Sequence, residues 1–186
     1  VDLRNVGTQP LALLLRQHYP LIDFVDAWVP AAAGAKAPKH ARPSRALART
    51  SGGSGATVRL GAWDELAASV SPVRFRVFVD EQGVPASLEL DEFDALACHA
   101  LALVGDVPVG TGRLLPDGHI GRMAVLPDWR GHGVGDALLV ALLDEARARR
   151  WPEVTLHAQV SAIGFYAKHG FVPVGVRFME AGIEHQ

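Results

Sequence analysis

The chain has 186 residues, of which 49% are apolar and 20% charged, and its formal net charge is -2. That length suits one domain with or without an appendage, and the near-neutral balance lacks the basic footprint that nucleic acid or an anionic membrane selects. The single cysteine, Cys98, excludes an internal disulfide and a thiolate metal site, and no apolar stretch approaches the roughly 20 residues that span a bilayer.

In chain order, residues 11–29 carry Leu13, Leu14, Leu21, Ile22, Phe24, Val25 and Trp28, enough for short docking helices interrupted at Pro20. Residues 30–55 are rich in Ala, Gly, Pro and basic side chains and end in Ser51-Gly52-Gly53-Ser54-Gly55, the composition of a flexible tether. The division expected is an extension over 1–56 and a folded domain over 57–186. Within the domain, 57–60 reads as a strand and 62–78 as one or two helices. The acidic run Glu89, Asp91, Glu92 and Asp94 reads as a solvated loop that would also suit a cationic acceptor. Cys98 lies among apolar neighbours and reads as a buried, inert thiol. Residues 99–104 and 107–115 are strands joined by a turn at Gly105-Asp106, and Pro116-Asp117-Gly118 makes a second turn before a strand over 120–125. A helix over 136–149 follows from the spacing of Leu138, Leu139, Leu142, Leu143 and Ala146, with Asp136 in its first turn and arginines near its end. A strand over 154–158, a short helix over 162–168 stopped at Gly170 and a strand over 172–179 complete an α/β mixed sheet with helices on both faces.

Between the strand at 120–125 and that helix lies Arg130-Gly131-His132-Gly133-Val134-Gly135. Glycine has no Cβ, so such a loop curls tightly and brings its N–H groups close to a ligand. Successive N–H groups at a helix N-terminus, reinforced by the helix dipole, make an anion cradle, and Arg130 adds a permanent charge. The dinucleotide fingerprint G-x-G-x-x-G and the triphosphate loop ending in Gly-Lys-Ser/Thr both fail to match. A pyrophosphate site remains, beside the plainer reading of a tight turn.

This loop, preceded by Gly121-Arg122-Met123-Ala124-Val125 and followed by an Ala/Leu-rich helix, resembles the acetyl-CoA motif of the GNAT (Gcn5-related N-acetyltransferase) superfamily. Downstream, Ala162, Phe165, Tyr166, Gly170 and Phe171 are similar to that superfamily's second motif. A finer resemblance is to a small bacterial group typified by the ElaA and YjcF proteins. It rests on Arg76-Val77-Phe78-Val79-Asp80-Glu81-Gln82, the acidic residues that follow, His99, Gln159, and Glu180-Ala181-Gly182-Ile183-Glu184-His185. In that group a further strand continues past the His185 position.

The resemblance implies an acyl-CoA N-acyltransferase fold whose mostly antiparallel sheet splays between its fourth and fifth strands, here 120–125 and 154–158. It implies acetyl-CoA as acetyl donor, with Met123, Ala124 and Val125 along the pantetheine arm and residues 130–136 (Arg130, Gly131, His132, Gly133, Val134, Gly135 and Asp136) around the pyrophosphate. The acceptor would be a primary amine of a small molecule or peptide, attacking directly. Such an amine has a pKa of about 10.4 and must lose a proton first. His119 and Glu81 are the candidate bases, and Tyr166 is the candidate proton donor to the departing thiolate. His157 faces the gap or the core according to register. No metal, nucleic acid or membrane is expected, and the address expected is cytoplasmic; a homodimer is common among such enzymes, though no residue pattern here specifies one. The other readings are an acyl-CoA-binding regulatory module without turnover and a transferase of longer acyl groups.

Overall fold

The computed structural model describes residues 55–186 and the backbone of Leu47 and Ala48. The apolar stretch at 11–29 and most of the proposed tether lie outside the described residues. A six-stranded sheet runs in the order β1 (Leu47–Ala48), β2 (Ala56–Gly61), β3 (Cys98–Val104), β4 (Val107–Leu114), β5 (His119–Val125) and β6 (Thr155–Leu156). Neighbours from β1 to β5 are antiparallel, and β5 with β6 is parallel.

Strand alternation supplies the two faces. Ala100 and Ala102 of β3 pack into the large core with Leu138, Leu139 and Leu142 of helix α3 (Val134–Ala148), whereas Leu101 between them packs with Leu66 and Val70 of α1 (Trp63–Arg74) on the other side. Each fully buried leucine of this kind contributes about 1.5–3 kcal/mol relative to exposure. Helix α1 contains Pro72, which withholds an amide from the ladder, and the chain continues from it as a π-helix over Phe75–Glu81. Such wide turns concentrate at functional sites.

Three expectations need correction. The strand over 154–158 reduces to Thr155–Leu156, because its partner β5 diverges from it. The strand over 172–179 is absent from 172 to 177: Pro173 has no amide to donate, Gly175 sits at φ 76, and Val172 and Val176 are exposed, so neither face is buried. Only β7 (Phe178–Glu180) forms, pairing with β8 (Ile183–His185) around Ala181 and Gly182, both at positive φ as the tightest hairpin turns require. β8 in turn lies against the chain beyond β6, through a bridge between Gln159 and His185 and a pair of 2.9 Å backbone bonds between Ala158 and Gln186.

The third correction is the acidic run. Helix α2 (Ala86–Glu89) and a 3₁₀ turn over Glu92–Leu96, capped by Asp91, carry Glu89 and Asp94 into the interior, where they are 1% and 2% exposed. Arg74, fully buried, donates from Nε to Glu89 at 2.5 Å and from Nη1 to Asp94 at 2.6 Å, and also to the Glu89 carbonyl. Arg113 donates to Asp91 and Asp94 at 2.7 and 2.8 Å. Burial alone would raise the Asp94 pKa, but Arg74 and Arg113 outweigh it and hold the carboxyl below its ordinary value. Glu89, Asp91 and Asp94 therefore form an internal ion cluster while Glu92 stays exposed, and two arginines already occupy the places a cationic acceptor would take.

Candidate active site

The pairing of β5 with β6 lasts for two residues, His119 with Thr155 and Ile120 with Leu156. Beyond Ile120, β5 continues to Val125 while β6 has ended, so the sheet opens between them. The amide of Leu126 bonds back to Val109 on β4, so alternation turns the peptide groups of Ala124 to β4 and those of Met123 and Val125 to the open side. Ala124 is also buried against Val73 and Val77. Of the three residues expected along the cofactor arm, Met123 and Val125 alone present backbone groups to the gap.

At the far end of the gap the glycine loop enters α3. Gly131 and Gly133 sit at φ 75 and 78, the left-handed region where an L side chain is disfavoured, and a Cβ on either would meet nothing within 4 Å. The space before the loop is therefore open. Gly133 is the N-cap, and the first ladder bond runs from the Ala137 amide to its carbonyl at 3.0 Å. Helix geometry leaves the amides of Val134, Gly135 and Asp136 without intrahelical partners, and no side chain caps them. Gly135 has no positive φ; its bare α-carbon lies against Phe165, where a Cβ would sit 3.5 Å from the ring. Val134 contributes only its backbone, since its side chain is in the core. His132 Nδ1 bonds the Arg130 carbonyl at 2.8 Å, and Asp136 meets His169 Nε2 at 2.8 Å, tying α3 to the turn that follows α4 (Ile163–Ala167).

Arg130 is not the free cation its place in the loop suggests. Its guanidinium makes two 2.7 Å bonds to Glu81, and its Nε donates to the Val125 carbonyl at 3.0 Å. The same contact, against desolvation, lowers the Glu81 pKa. Glu81 is thus a poor proton acceptor. Next to it, Gln82 accepts from Gln159 at 3.0 Å, so consecutive residues at the end of the π-helix hold the β5 side and the β6 side of the gap.

The zipped end of the gap holds His119, His157 and Glu180. His119 Nδ1 lies 3.1 Å from Thr155 Oγ1, its ring meets that of His157 edge-on at 4.8 Å, and its Nε2 side lies over Gly121. Burial first, then the neighbouring His157 and Arg113, push its pKa down to about 3. The ring is neutral at physiological pH. His157 faces this cluster rather than the core, packing edge-on to Phe178 at 5.0 Å with its Nδ1 3.8 Å from Glu180. The His157 contact, against burial, lowers the Glu180 pKa. Glu180 and Phe178 were not legible as site residues, since only the β7–β8 hairpin brings them against His157.

Tyr166 on α4 packs edge-on with Phe165 and Phe171 at 5.0 and 5.9 Å, and burial raises its pKa to about 12, so the phenol keeps its proton. It borders a small, shallow cleft with Leu156, Ala158, Ile163 and Phe171, to which neither β5 nor the glycine loop contributes. The gap between the strands, not this cleft, joins the cradle to the open strand edge. Cys98 is buried, and burial raises its pKa to about 11, which leaves an unreactive thiol. Among the described residues no group of His, Cys, Asp and Glu side chains is placed to hold a metal ion, and no helix is long and apolar enough to cross a membrane.

Residues 66–186 match the family model of the acetyltransferase (GNAT) domain. The uncharacterized N-acetyltransferase YjcF of Bacillus subtilis is 39% identical over 117 residues, 61% of this chain and 84% of that protein. Among solved structures, Escherichia coli ElaA is similar with a TM-score of 0.61 and 29% identity, over 69% of this chain and 95% of that one. An acyl-CoA N-acyltransferase from Pseudomonas aeruginosa gives a TM-score of 0.62 at 28% identity, over 69% and 94%.

Proposed function

The chain belongs to the GNAT acetyltransferase family and is an acyltransferase, and from that premise we propose that it moves an acetyl group from acetyl-CoA to a primary amine of a small molecule or peptide by direct attack. The observation that carries this reading is the parting of β5 and β6 after two residue pairs, leading to a helix start with unpaired amides. The open space before Gly131 and Gly133 fits a pyrophosphate there, and the edge of Met123 and Val125 fits the amides of a pantetheine arm. When bound, the donor supplies an acetyl group activated as a thioester.

The chain's own residues then handle protons. His119 stays neutral at physiological pH and keeps an acceptor lone pair, so it takes a hydrogen bond from the amine or from a bridging water. With a pKa of about 3 it is, like Glu81, too weak a base to hold the proton, which leaves to water. Tyr166 holds its phenolic proton throughout the physiological range and serves as donor to the thiolate. Glu81 acts on Arg130, not on the amine. The division into an extension over 1–56 and a catalytic domain over 57–186 belongs to this proposal.

The test is thiol release from acetyl-CoA over a panel of amines with the full chain and with Tyr166→Phe. The expected result is turnover that falls about a hundredfold in the variant while CoA affinity is kept. Acetyl-CoA binding with no turnover on any amine assigns a binding module instead, and a preference for longer acyl-CoA donors overturns the acetyl assignment.

A further inference from the structure

Arg122 occupies a conformation that its residue type disfavours, in the middle of the strand that borders the gap. Its φ is 51, in the left-handed region, within β5. The register with β4 explains the geometry: Arg113 faces Gly121 and Thr111 faces Ala124, so Gly112 alone opposes both Arg122 and Met123. This is a β-bulge. It folds Met123 onto Gly112 so closely that a Cβ there would lie 2.5 Å from Met123 Sδ. A strained residue persists only where its surroundings over-determine it.

The surroundings here are specific. The Arg122 guanidinium donates to the carbonyls of Leu88 at 3.1 Å and Glu89 at 3.3 Å, and to Asp91 Oδ2 at 3.3 Å, with Glu89 Oε2 at 3.6 Å. Glu89 and Asp91 are themselves gripped by Arg74 and Arg113. The bulge is thus anchored, through one side chain, to a buried cluster on the α1 face of the sheet.

We infer that Arg122 is a positioning residue for acyl transfer: its tether to the buried carboxylate cluster sets the bulge and thereby aims the Met123 peptide group at the gap between β5 and β6. The inference rests on the acyltransferase reading of that gap. It predicts that the tether affects the rate of transfer more than the hold on CoA, whose pyrophosphate cradle lies beyond Val125.

Glycine and alanine at this position separate backbone from side chain. Arg122→Gly removes the tether but tolerates positive φ, whereas Arg122→Ala removes the tether and keeps the strain. In Arg122→Gly, kcat with acetyl-CoA and the best amine of the panel is expected to fall about tenfold or more, with KM for acetyl-CoA within about threefold of the parent. Amide hydrogen exchange at Ala124, whose peptide group faces β4 beside the bulge, is expected to speed up at least about tenfold while Leu101 and Ala102 in β3 stay protected. Arg122→Ala should lose the same activity and also melt lower. An Arg122→Gly enzyme with parental kcat and parental Ala124 exchange overturns the inference. So does exchange that rises equally across β3 and β5, which marks a merely structural arginine. If the parent chain releases no thiol with any amine, the transferase reading fails, and the exchange comparison still decides whether the tether holds the bulge.

Discussion

The glycine loop and the arginine–carboxylate cluster flank the same strand and are built in opposite ways. The loop is made of consecutive residues, 130 to 136, and works through backbone amides that geometry leaves unpaired at a helix start. The cluster gathers Arg74, Glu89, Asp91, Asp94, Arg113 and Arg122 from α1, α2, the capped 3₁₀ turn and two strands, and works through charged side chains removed from water. In the loop, ligand access requires that nothing fill the space. In the cluster, every charge must find a partner or cost several kcal/mol in desolvation. The difference predicts how each region fails: the loop locally, the cluster globally.

The largest expected effect lies in the cluster. Arg74→Met leaves the Glu89 and Asp94 carboxylates buried with one cation fewer, and should lower stability by about 3–5 kcal/mol in denaturant unfolding. Arg76→Ala, which removes only an exposed 3.7 Å contact to Asp80, should change it by less than about 0.5 kcal/mol. Equal losses in the two variants would erase the contrast between buried and surface charge.

Acidification tests the same side of β5. The His119 ring takes a proton near 6.5 when unfolded and only near 3 when folded, so the unfolded state binds more protons between those values. Stability should therefore fall as pH drops from 6.5 toward 3, by at most about 1.4 kcal/mol per pH unit from this group. Between pH 6.5 and 4.5, above the carboxylate range, His119→Gln should flatten the slope seen in thermal melts. An unchanged slope would mean that the ring is solvated in the folded state.

The two glycines of the loop should separate. Gly133→Ala places a side chain at φ 78 and should cost about 1–2 kcal/mol. Gly135→Ala meets Phe165 at an ordinary 3.5 Å inside the first helical turn, and should be neutral or gain up to about 1 kcal/mol. Similar losses at both positions would show that helix entry, not backbone conformation, makes the loop sensitive.

The smallest effect is expected at Glu81. Its pair with Arg130 is partly exposed on both sides, so Glu81→Gln should change stability by less than about 1 kcal/mol. Releasing Arg130 should leave CoA affinity, read by calorimetry, equal or tighter. A weakening beyond about tenfold would show that Glu81 orients Arg130 for the ligand instead of competing with it.

Much of the glycine-loop side was legible because it is local. The alternation of 99–104 and 107–115, the helical spacing from Leu138 to Ala146 and the run of three glycines each report the structure of their own neighbourhood, and the structure departs from them only at ends. Helix α3 begins at Val134, two residues early, because Gly133 in the left-handed region already serves as its cap. The acidic run was misread for the converse reason. Glu89 and Asp94 look like a solvated run in one dimension, and nothing nearby in sequence announces Arg74 or Arg113 as their partners.

What the sequence by itself determined is therefore the mixed sheet and the order of its elements, which follow from periodicity and turn chemistry acting over a few neighbouring residues, and, through the resemblance of its motifs, the family. Tertiary structure alone decided where β5 and β6 part, that Arg130 is spent on Glu81, that His119 stays neutral beside His157, and that Arg122 is strained into a bulge. These depend on desolvation and on charges meeting across long stretches of chain, quantities that exist only once the sheet has brought its faces together.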